Sequence, residues 1–126
     1  MPTELSAQDL DDLRARLRAQ AEGLRAELAA VDAQMSTLYA DCDRDVGDLG
    51  AKVTAADRLR ADAERARSLL ARTHAALDRL GTPAYGRCAV CGGPIERDRL
   101  LAVPHADVCL ACGRGTGGAR GRGALT

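Results

Sequence analysis

Tyr85-Gly-Arg-Cys-Ala-Val-Cys-Gly-Gly-Pro-Ile-Glu-Arg-Asp-Arg-Leu-Leu-Ala-Val-Pro-His-Ala-Asp-Val-Cys-Leu-Ala-Cys112 holds four of the five cysteines of this 126-residue chain. They form two pairs, Cys88/Cys91 and Cys109/Cys112, with 17 residues between them. Two thiolates three positions apart grip one ion from a tight turn, and a second such turn completes a tetrahedron with Zn–S distances of about 2.3 Å. Cys88, Cys91, Cys109 and Cys112 are therefore predicted to hold one structural Zn²⁺. With four protein ligands the site is closed to water and substrate, so the metal holds a fold and does no chemistry. Disulfide pairing or thiol redox chemistry is the alternative for these residues. No apolar leader and no long uncharged apolar run precedes them, so a cytoplasmic chain with reduced thiols and no membrane partner is expected.

Upstream of the cysteines the composition changes character. The chain is 46% hydrophobic but 2% aromatic, without Trp or Phe, and its formal net charge is +0. Ala, Leu, Arg, Asp and Glu dominate the first 80 residues, which indicates long helices packed along a narrow seam and not a large globular core. Ser6 with Asp9 forms a capping pair, and Leu5 with Leu10 a hydrophobic staple, so a first helix begins near Ser6. Leu10, Leu13, Leu17, Ala21, Leu24, Leu28, Val31, Met35 and Leu38 then recur at steps of three and four, which is one apolar stripe in need of a partner. The two successive four-residue steps at Leu13, Leu17 and Ala21 interrupt the heptad as a stutter does.

A second stripe runs through Val53, Ala56, Leu59 or Arg60, Ala63, Ala66, Leu70, Thr73, Leu77 and Leu80, and stops at Gly81 and Pro83. Its small side chains allow close approach to the Leu-rich first helix. The predicted fold is mostly α: a long antiparallel coiled-coil hairpin over residues 1–83, followed by a small four-cysteine zinc finger over 84–113 and a disordered Gly/Arg tail over 114–126. The hairpin tip falls near residues 41–50, where four aspartates surround Arg44. Asp48 is one candidate cap for the second helix, and Thr54 competes with it.

Ile95, Leu100, Leu101, Val103, Val108 and Leu110 are the sizeable apolar residues available to the finger, too few to hold it without metal. Chelation is expected to unfold residues 85–113 while sparing much of the helical signal. His105 lies four residues before Cys109 and is not needed as a ligand; His74 is a solvated flank residue, and Cys42 an apolar filler or incidental thiol near the tip.

A hairpin with an acidic tip, followed by the run YGxCxxCGxPI, an Arg-Leu element, a Pro and a closing CxxC, resembles the DksA/TraR family of bacterial zinc-finger transcription regulators. The resemblance covers roughly residues 10–113 and is closest in the finger. It implies a protein that binds RNA polymerase and not DNA, inserting its coiled coil into the secondary channel to modulate promoter complexes. In the family two aspartates of a DxxDxA pattern at the tip contact the active centre; the matching residues here are Asp45 and Asp48, with Gly50 where the pattern has Ala. Members have a helix after the finger, where this chain has the Gly/Arg tail. The alarmone ppGpp is a partner of some members, but no residue here matches such a site and its binding is not predicted.

A monomeric, non-enzymatic polymerase regulator is therefore the leading expectation. One competitor is a zinc-finger nucleic-acid-binding protein, which the zero net charge and the single finger aromatic, Tyr85, argue against. Another is a coiled-coil adaptor that pairs its Leu stripe between chains. Catalysis is the weakest of the competing classes, since the sequence offers no nucleophile beside a base, no open metal site and no phosphate-binding loop.

Overall fold

The computed structural model of the chain describes residues 5–42 and 49–119. Helix α1 spans Ala7–Cys42 and α2 Leu49–Arg79; two shorter helices follow, α3 at Arg97–Ala102 and α4 at Leu110–Ala119. No strand occurs among the described residues; a lone antiparallel bridge joins Arg87 and Pro94. The mostly helical fold, with two long helices packed together and a C-terminal cluster of four cysteines, is the one the sequence predicts.

The start of α1 is a reciprocal capping box. The Ser6 amide donates to Asp9 Oδ2 at 3.1 Å and the Asp9 amide donates to Ser6 Oγ at 3.0 Å, which satisfies backbone donors that the first helical turn leaves unpaired. Helix α2 begins at Leu49, ahead of its first predicted stripe residue, Val53. Thr54 is therefore inside the helix and not its cap: its hydroxyl donates back to the Gly50 carbonyl at 3.2 Å. At the far end Gly81 takes a φ of +90°, a left-handed conformation that ends α2 where the sequence predicts.

The chain forms two compact units. The first comprises residues 1–19 and 73–126, so the finger does not bury its core alone, although the sequence pattern separates it from the helices at residue 83. Leu13 and Leu17 of α1 and Ala76 and Leu80 of α2 share one apolar cluster with Tyr85, Ile95, Leu100 and the sulfur-bearing Cys88 and Cys109. Leu13, Leu17, Ile95 and Leu100 are fully buried. The cluster places the start of α1 beside the end of α2, the antiparallel arrangement. Ala76 belongs to it but escaped the sequence stripe, because an alanine beside stronger apolar residues carries little periodic signal.

The second unit, residues 20–72, is the coiled-coil segment itself. Its buried positions are Ala21, Leu24 and Val31 on α1 and Ala56, Ala63 and Ala66 on α2, with Leu28, Met35, Leu38, Leu59 and Leu70 half-buried. Leu against Ala is the pairing that lets two helices approach closely. One prediction is corrected in this region and one alternative is resolved. Val53 is 52% exposed and off the seam, and of the alternatives Leu59 and Arg60 it is Leu59 that turns inward. The seam is already closed at Ala56, three residues on, and Val53 stays half-exposed.

Residues after Cys109 give a further correction. A structureless tail is predicted from residue 114, yet α4 is helical through Ala119. Four glycines in ten residues give α4 little intrinsic helical preference, so its existence traces to how its N-terminus is held, as described below. Residues 120–126 lie outside the described residues.

Candidate metal centre

Two chain reversals build the site, each with its own hydrogen-bond frame. In the first, the Cys88 amide donates to the Gly93 carbonyl at 2.7 Å, the Gly92 amide to the Cys88 carbonyl at 3.0 Å, and the Ile95 amide to the Gly86 carbonyl at 2.8 Å. Gly86 and Gly92 have φ of +86° and +74°, values that L side chains rarely adopt, so glycine is required for the turn to close. The second reversal, at Cys109–Cys112, is the first turn of α4. It is tied to the first by the Ala89 amide, which donates to the Asp107 carbonyl at 2.8 Å.

These frames bring the Sγ atoms of Cys88, Cys91, Cys109 and Cys112 within 4.8 Å of one another; those of Cys91 and Cys109 are 3.9 Å apart. Four sulfurs on a tetrahedron with Zn–S bonds of about 2.3 Å stand about 3.8 Å from each other, so the donor set fits one zinc ion. Backbone amides point at the sulfurs: Val90 and Cys91 at Cys88, at 3.4 and 3.5 Å, Gly93 at Cys91, and Cys112 at Cys109, both at 3.4 Å. Such N–H donors disperse the charge of thiolates bound to a cation.

The ionisation of the sulfurs points the same way. Burial alone would raise the Cys88 thiol, but amide donors from Cys91, Cys109 and Val90 outweigh it and hold the pKa at about 6. Cys112 is pushed up to about 12, first by hydrogen bonds with the sulfurs of Cys109, Cys88 and Cys91. Protein groups thus favour the thiolate at Cys88 and oppose it at Cys112, and four thiolates this close coexist around a cation. His105 is not part of the sulfur cluster, in keeping with its sequence reading.

Sequence reasoning did not find the polar contacts that hold this module. Glu96 Oε1 accepts from the Leu110 amide at 3.3 Å and so caps α4 from fourteen residues away. The carboxyl sits below its usual range because of hydrogen bonds from its own amide and that of Leu110. Arg97 grips Asp9 through Nε and Nη2 at 3.1 and 3.0 Å, a bidentate pair across 88 positions. Arg16 donates to the Leu101 carbonyl. Arg99 Nε donates to the Val108 carbonyl at 2.9 Å, and the Tyr85 hydroxyl to the buried Pro104 carbonyl at 2.9 Å. A local pattern marks only Ser6 with Asp9; the partners of Glu96 and Arg97 are set by the fold.

Asp45 and Asp48 lie outside the described residues, as does the Cys42 side chain. No described helix is long and apolar enough to cross a membrane.

The profile of the prokaryotic dksA/traR C4-type zinc finger matches residues 83–116. The RNA polymerase-binding transcription factor DksA of Haemophilus influenzae is 41% identical over 49 residues. That match covers 39% of this chain and 34% of that protein, about a third of the relative's length. The structure of transcription factor DksA2 from Pseudomonas aeruginosa superposes with a TM-score of 0.77 at 26% identity, covering 93% of this chain and 89% of that one. Residues 83–116 thus carry the finger signature of the DksA/TraR family, and the helical fold with its four convergent cysteines is similar to that of DksA2.

Proposed function

We propose that the chain is a non-enzymatic transcription regulator that binds RNA polymerase. The observation that carries this reading is the likeness to DksA2 over 93% of the chain, joined to the finger match and to the curated relative, whose name states polymerase binding. The coiled coil enters the secondary channel, and Asp45 and Asp48 meet the active centre, where carboxylates coordinate Mg²⁺, repel nucleotide phosphates or pair with arginines. The zinc is structural. The chain acts in the cytoplasm as a monomer, without sequence-specific DNA contact; ppGpp binding is not predicted.

Changing both aspartates to Asn tests the tip. The variant keeps polymerase affinity and loses the effect on promoter complexes. Full regulation by the variant would overturn the role of the tip while leaving polymerase binding standing.

A further inference from the structure

In the coiled-coil unit the apolar seam weakens toward the acidic segment. On α1 the last buried stripe residue is Val31, followed by half-buried Met35 and Leu38; on α2 the seam closes at Ala56, and Val53 faces solvent. Alanine supplies little apolar area, and an open hollow of about 310 Å³ lies where Met35, Leu59 and Ala63 meet. Apolar packing of this kind restrains sliding and rotation of two helices poorly. Directional contacts have to fix the register there.

One such contact is present. Arg60 Nη2 donates to the Tyr39 hydroxyl oxygen at 2.9 Å, linking α2 to α1, while Arg60 Nη1 donates to Asp57 Oδ1 at 3.0 Å on its own helix. The Asp57 carboxylate, one helical turn away, holds the guanidinium, so less side-chain freedom is lost when its second edge bonds the phenol. Tyr39 is one of only two tyrosines in the chain, and 51% exposed, so burial does not account for an aromatic here. Its hydroxyl is the part that the opposite helix uses.

We propose that Arg60 is a positioning residue which, oriented by Asp57, sets the register of α1 against α2 through Tyr39 at the end of the coiled coil from which residues 43–48 depart. Its effect on transcription rests on the tip reading given above; the register itself does not. Removing only the hydroxyl, as Tyr39→Phe does, leaves both helices and the aromatic ring intact and loosens their alignment.

Amide hydrogen exchange on the full zinc-loaded chain tests this directly. Tyr39→Phe and Arg60→Met are each expected to speed exchange about five-fold at residues 35–40 and 54–60, the size of one modest hydrogen bond. The double variant exchanges no faster than the faster single one, because both changes remove the same bond. Arg58→Met, on an exposed position without this contact, leaves exchange unchanged. Unaltered exchange in Tyr39→Phe, or effects that multiply in the double variant, would overturn the proposal.

Transcription supplies the second readout. Tyr39→Phe lowers the maximal effect at saturating protein while the half-saturating concentration stays at the wild-type value. A merely structural loss would raise that concentration. If the Asn variants of Asp45 and Asp48 regulate normally, the tip reading fails, and hydrogen exchange still decides the fate of the Tyr39–Arg60 contact.

Discussion

Replacing Leu100 with Ala perturbs the finger without touching a metal ligand. Leu100 is fully buried, and its Cδ1 lies 3.7 Å from where a Cβ on Gly86 would stand, so it fills the space beneath the first chain reversal. Buried Leu→Ala changes cost about 3 kcal/mol when the site cannot collapse, and the glycine-framed turn and bound metal leave little room to collapse. On the expectation that the finger unfolds without metal, that energy is lost only from its zinc-bound state. The cost therefore emerges as a weaker apparent zinc affinity, by roughly a hundredfold at about 1.4 kcal/mol per decade. Competition against a chromophoric chelator reads this directly, with Val90→Ala as control, since Val90 is 59% exposed and its truncation leaves affinity unchanged. An unaltered zinc affinity in Leu100→Ala, accompanied by a lower melting temperature, would show that the finger is preformed without metal and would refute the reasoning.

Gly23 lies exposed inside α1, and a Cβ there meets nothing within 4 Å. Gly23→Ala is expected to stabilise the chain by about 0.5–1 kcal/mol in denaturant unfolding, through helix preference alone. Gly50→Ala, equally free of neighbours in the second position of α2, strengthens the start of that helix by a similar amount in thermal melts. The Asp9 carboxyl is held below its ordinary value of 3.8, chiefly by the hydrogen bond from Arg97. A depressed folded pKa means stability that is present above the unfolded pKa and lost as pH falls through the folded one. The stability gap between wild type and Asp9→Asn, followed by helix circular dichroism, is thus full at neutral pH, shrinks below about pH 4 and vanishes in stronger acid. Glu96→Gln keeps a carbonyl acceptor for the Leu110 amide but removes the charge, whereas Glu96→Ala removes both, so nuclear magnetic resonance shifts of α4 move further toward coil in the alanine variant.

The legible parts of this molecule are the ones written in local spacing. Leu10 through Leu38 recur with the helical period, and every one of them is buried or half-buried; Ser6 and Asp9 cap as their three-residue separation predicts. Two CxxC pairs announce a four-sulfur site because each pair is a self-contained turn. What escaped was either compositional or long-range. Helix α4 contradicts its glycine content, since Glu96 and the Cys109 turn hold its first residues from outside the segment. Val53 fits the apolar period but faces solvent, because period alone cannot say where a seam ends. The Asp9–Arg97 pair joins residues 88 apart and has no sequence signature. The joint burial of Leu13, Leu17, Ile95 and Leu100 likewise follows from the fold and from no motif.

Equilibrium binding of the zinc-loaded protein to purified bacterial RNA polymerase, with and without a protein known to occupy the secondary channel, tests the central claim most directly. Saturable binding that the channel occupant displaces is the predicted result. No binding, or binding that the competitor leaves untouched, would contradict it.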